Sequence, residues 1–157
     1  MKIVVIGIGQ SLRGDDGAGP EAVRRWKAKH TETAGRPEVR AELFELPGLG
    51  LLDLLEGADA AVIVDAVQSR AAPGTLLRLD PHDLASFSLD AGSAHGWGVA
   101  ETLQLGLTLS PSLADCRITL IGIAAIQFDI GEGLSPQVEA GLAEAVEQIE
   151  KDVRSLL

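Results

Sequence analysis

Three stretches of this chain are largely apolar: KIVVIGIG at the start, AAVIVDAV at 60–67 and CRITLIGIAAI at 116–126. Short, largely β-branched runs bounded by glycine or polar loops read as strands hidden on both faces, the mark of a parallel sheet between helices. Glu38 to Leu46 instead alternates apolar and charged residues and reads as an edge strand. Helical spacing fills the intervals. A helix is expected from Asp15 or Asp16 to Lys29, acids first and bases last, an order that suits the helix dipole. PGLGLLDLLEGAD holds a short helix, and another runs from Trp97 to Leu107. The last opens at Ser135-Pro136, with Ser as N-cap and Pro at the first helical position. Val138, Leu142, Val146, Ile149 and Val153 give it one apolar stripe for the sheet.

One connection breaks the alternation. Between Val67 and Gly74 there is no room for a crossover helix, so TLLRLD at 75–80 should run antiparallel to the strand before it. The expected fold is α/β: a mostly parallel sheet of about five strands between helices. With no repeat, linker or low-complexity tract, residues 1–157 are expected to form a single domain.

Composition narrows the function. Aromatic residues are 3% of the chain and net charge is −10, which argues against a base-stacking platform and against phosphate or anionic-lipid surfaces. No nucleic-acid or membrane partner is expected. Cys116 is the single cysteine, so neither an internal disulfide nor a thiolate metal cage can form, and its place at the start of an apolar run suggests a buried thiol. The apolar stretch after Lys2 is too short for a signal peptide, and no segment approaches the roughly 20 apolar residues of a membrane span. A cytoplasmic monomer is expected.

Gly7-Ile8-Gly9 invites a dinucleotide reading, but Leu12 stands where the third glycine belongs and Asp15 and Asp16 occupy the place of a pyrophosphate. Those two acids at a helix start could be no more than cap and dipole partners. Asp65 changes the weighing, because it follows Ala61–Val64 at a strand's carboxyl end, where open α/β sheets bind ligands. If strands one and three are neighbours, Asp16 and Asp65 share a rim, and a cation or shared proton would relieve their repulsion. His95, in SAHGWG, could fold back over that rim. Two carboxylates and an imidazole suit nickel or zinc with positions left open. His30 and His82 look ordinary, and G-x-S-x-G is absent.

GIGQSLRGDDGAGPEAV resembles the amino-terminal signature of hydrogenase maturation proteases, G-x-G-N-x-L-x-x-D-[DE]-x-x-G. VIVDAV, PGTLLRL, SAHGWGVAETL and GEGLSPQVEAGL resemble later segments of the same family, and the matches run in order along nearly the whole length of the chain. The resemblance implies a three-layer α/β/α sandwich, phosphorylase/hydrolase-like, with one antiparallel strand. It also implies an endopeptidase that removes a carboxyl-terminal extension from a nickel-loaded [NiFe]-hydrogenase large-subunit precursor. The family's metal-contacting acid, strand-end Asp and loop His carry over onto Asp16, Asp65 and His95, which are thereby the expected catalytic and metal residues. The nickel would arrive with the substrate, with zinc or cadmium as substitutes.

Three departures bear on substrate choice. Gln10 stands for the usual Asn, ELPGLG at 45–50 for D-G-G-T-x-G, and Ala124-Ala125-Ile126 for a Glu/Pro-containing turn. Two rival readings stay open at this point: a non-enzymatic nickel-binding or chaperone module on the same fold, and a different hydrolase using Arg13 at the rim.

Overall fold

The computed structural model describes residues 1–45, 48–79, 99–131 and 133–157. Its five strands are β1 (Ile3–Ile8), β2 (Val39–Phe44), β3 (Ala60–Gln68), β4 (Leu76–Leu79) and β5 (Arg117–Ala125). They form one sheet in the order β2-β1-β3-β5-β4, in which only β4 is antiparallel. The expected direction of β4 is therefore observed, with β5 rather than β3 as its neighbour. The alternating segment β2 is an edge, as its polar outer positions require.

The helices are α1 (Ala18–Lys29), α2 (Thr31–Ala34), α3 (Gly50–Leu55), α4 (Val99–Leu109) and α5 (Pro136–Leu156). On one face of the sheet Val5, Val62, Val64 and Ile123 pack with Trp26 of α1 and with Val138, Leu142, Val146, Ile149 and Val153 of α5. On the other face Val4, Ile6, Ile63 and Leu120 pack with Leu51 and Leu55 of α3 and with Val99 and Leu103 of α4. That is the three-layer sandwich. Both faces of β1 and β3 are covered, which is why these strands read as near-continuous apolar runs. Leu142, fully buried in the stripe of α5, would cost about 2–5 kcal/mol if cut to alanine.

Several boundaries differ from expectation. Residues 14–17 form a 3-10 turn rather than the first turn of α1, because the side chains of Asp15 and Asp16 bond outside their own helix. β3 continues to Gln68, since Ala66, Val67 and Gln68 pair with β5 beyond the end of β1. β5 stops at Ala125, and Cys116 lies just before it. The expected helix from Trp97 is described from Val99 and reaches Leu109.

The helix pair α1/α5 holds a buried carboxylate at its far end. Glu150 accepts from Trp26 Nε1 (2.9 Å), Thr33 Oγ1 (2.7 Å) and Arg154 Nε (2.6 Å). Burial pushes the Glu150 carboxyl up, but these hydrogen bonds outweigh it and hold the group below its ordinary range.

Candidate active site at the carboxyl rim

The strand order reverses direction between β1 and β3: β1 leads through α1 to β2 on one side, and β2 leads through α3 back to β3 on the other. A crevice opens at the carboxyl ends of strands at such a switch point, and ligands bind there. Both expected acids are found at it. Asp65 pairs in register with Ile8, the last residue of β1, and is 1% exposed. It lies three residues inside β3 rather than at its end, yet level with the end of its neighbour.

Asp16, also 1% exposed, is set over the next residue of the β1 strand line. Gly9 has φ +140°, and a Cβ there would collide with the carbonyl of Asp16. The chain then turns through Arg13 N–H to Gln10 O (3.1 Å) and Asp16 N–H to Arg13 O (3.1 Å), and Asp16 Oδ2 accepts the Gln10 amide at 2.8 Å. The first Gly-x-Gly is thus a seat for Asp16, which is its structural reason in a chain with no nucleotide loop. His95, the third expected member, lies outside the described residues, as does His82. Among the described residues no three His, Cys, Asp or Glu side chains gather as a metal cage. The donor chemistry of the two acids still fits a divalent cation, since both are buried carboxylates at one rim.

Asp15 corrects the reading of that residue as a simple cap. It is fully buried and accepts four hydrogen bonds, all from the far side of the rim: Ile126 N–H (3.2 Å), Gln127 N–H (3.1 Å), Ser135 N–H (2.6 Å) and Ser135 Oγ (2.9 Å). Ser135 does precede α5 as expected, but its hydroxyl serves Asp15 instead of capping the helix. Composition carried no signal for this, because three of the four donors are backbone amides and all lie more than 110 residues away.

Cys116 and His30 lie away from the acids of the rim. Burial, then the neighbouring Asp59 charge, pushes the Cys116 thiol up to about 11, so it stays protonated at neutral pH. Cys116 lines a cavity of about 390 Å³ with Asp53, Glu56, Asp59 and Asp115, at the amino ends of the strands and away from the acids of the rim. His30 sits at the end of α1 against Glu147. Beside the rim a groove of about 250 Å³ is lined by Ser11, Gly14, Gly17, Arg25, Gly133 and Leu134.

The family model described as hydrogenase maturation protease matches residues 46–152, which include Asp65 and His95. The chain belongs to that family. It is 34% identical to the hydrogenase expression/formation protein HupD of Rhodobacter capsulatus, over 94% of this chain and 71% of that one. Among solved structures it is similar to the [NiFe] hydrogenase maturation protease HybD from Thermococcus kodakarensis, with TM-score 0.78, 29% identity and coverage of 98% and 99% of the two chains. The hydrogenase maturating endopeptidase HybD from Escherichia coli follows at TM-score 0.77 and 26% identity, covering 99% of this chain and 93% of that one. Family membership makes the chain a hydrolase of the protease kind and sets aside the reading as a purely binding module. Among the described residues no helix is long and apolar enough to cross a membrane.

Proposed function

We propose that the chain is an endopeptidase that removes the carboxyl-terminal extension of a nickel-loaded [NiFe]-hydrogenase large-subunit precursor. The observation that carries this reading is the meeting of two buried carboxylates, Asp16 and Asp65, at the switch point of the sheet. Nickel comes with the substrate. Asp16 and Asp65 are its anionic contacts and His95 its neutral one, a donor set suited to a borderline divalent ion. The metal thereby reports that the precursor is loaded and fixes the scissile bond over the rim.

The attacking group in this reading is water, which suits a carboxylate-rich rim; Cys116 is protonated and distant, and the Ser135 hydroxyl is committed to Asp15. A rim carboxylate accepts its proton as the oxygen adds to the scissile carbonyl, and that proton leaves with the amine of the extension. The site works with a metal but uses no covalent enzyme intermediate.

Calorimetry with Ni²⁺, Zn²⁺ or Cd²⁺ tests the ligand set. One site is expected in the wild type, with affinity lower by about tenfold or more in Asp65→Asn and in His95→Ala. Affinity should fall as pH drops through about 6.5, because an imidazolium cannot ligate. Equal affinity in all three proteins would remove these residues from the site.

A further inference from the structure

We propose that Asp15 is a positioning residue that holds the loop after β5, residues 126–131, as one wall of the substrate-binding rim. The role rests on the proteolytic reading above. A buried carboxylate loses its hydration and is tolerated only where donors replace it. Two of the donors to Asp15 come from this loop, and two come from Ser135, just before α5. The backbones are joined as well: Asp15 N–H donates to Gln127 O (2.7 Å), Gly14 N–H to Gly131 O (3.0 Å), and Gly131 N–H to Leu12 O (2.9 Å). Gly14, at φ +57°, admits the close pass, since a Cβ there would stand 2.6 Å from Gln127 O.

The outward side of the joined loops is unlike their inner side. Ile126 is 60% exposed, Ile130 90% and Leu12 62%. Large apolar side chains on a loop whose backbone is fixed at both ends are presented to solvent at constant spacing, beside the residue pair that carries Asp16. In the proteolytic reading these side chains stand where the precursor segment flanking the scissile bond would lie. Asp16 has its own bond to Gln10 and its own seat over Gly9, so loss of the Asp15 grip moves the wall more than the acid.

Steady-state cleavage of a nickel-loaded large-subunit precursor from the same genome tests this. Asp15→Asn turns an N–H₂ toward N–H donors, and KM should rise about tenfold or more while kcat stays within about threefold. Ser135→Ala removes one donor and should raise KM about threefold, whereas Ser135→Thr, which keeps the hydroxyl, should match the wild type. Glu150→Gln serves as the control for lost stability alone and should leave KM unchanged. An unchanged KM in Asp15→Asn and Ser135→Ala, or a rise equal to that of Glu150→Gln, overturns the proposal. If Asp15→Asn does not fold, the Ser135 pair decides by the same readout. If the wild type cuts no precursor, the proteolytic reading fails, and amide hydrogen exchange decides the grip. Faster exchange at Ile126, Gln127 and Ser135 in the variants, with Gln10 protected as before, supports it, and equal protection refutes it.

Discussion

Two carboxylates are buried at opposite ends of the contact between α1 and α5, and they are gripped in different ways. Glu150 is held by side chains of Trp26, Thr33 and Arg154, so its cluster depends on which residues stand on three elements. Asp15 is held chiefly by backbone amides of one loop. A side-chain grip fixes how helices pack; an amide grip fixes the path of a loop and leaves that loop's side chains free to vary. The grip on residue 126 runs through its backbone N–H and so makes no demand on the side chain of Ile126.

If the rim end is chemical and the Glu150 end structural, variants should separate cleanly. The largest effect belongs to the rim acids. Asp16→Asn or Asp65→Asn should retain the fold by circular dichroism and lower cleavage about a thousandfold. A variant that still processes precursor at normal speed would break the comparison at once.

Next comes the other end. Glu150→Ala strands three donors and should cost about 2–4 kcal/mol in denaturant unfolding, while the folded fraction cleaves normally. The pH dependence has a definite sign. The folded Glu150 carboxyl lies below its unfolded value, so its stabilisation is complete above about 4.3 and is lost as pH falls through the folded value. The stability gap between wild type and Glu150→Gln should therefore narrow in acid, and a gap that widens would contradict the network.

A smaller, selective effect is expected at residues 45–50. Leu49 is 61% exposed, so it does not pack into the core, and Glu45 is exposed just after β2. Exchanging this segment for that of another family member should change which of two precursors is cut and leave melting temperature and metal affinity nearly unchanged. A uniform loss on both precursors would mean the segment is structural. Least affected should be Cys116→Ala, within about 1 kcal/mol and fully active. The wild-type thiol should react only slowly with iodoacetamide at pH 8, because at about 11 its titration lies well above that pH.

Much of this was legible in the chain. Apolar runs gave the buried strands β1, β3 and β5, and the short Val67–Gly74 link gave the direction of β4, because burial and loop length act on sequence directly. Asp65 stood out as an acid ending an apolar run. Asp15 did not, because donors that are backbone amides leave no trace in residue identity. Glu150 does leave a trace: it sits between Val146 and Val153 among the buried residues of α5, where an acid requires partners. Helix α2 and the 3-10 turn at 111–115 have no apolar period to announce them, and the turn at 14–17 is held by partners distant in sequence.

The central claim is that Asp16 and Asp65 read nickel carried by a precursor and that cleavage follows. Its most direct test is the mass of the large subunit after incubation with the purified protein, nickel-loaded and nickel-free precursors side by side. Loss of one carboxyl-terminal fragment from the loaded precursor alone is expected. Equal cleavage of both forms, or of neither, would contradict it.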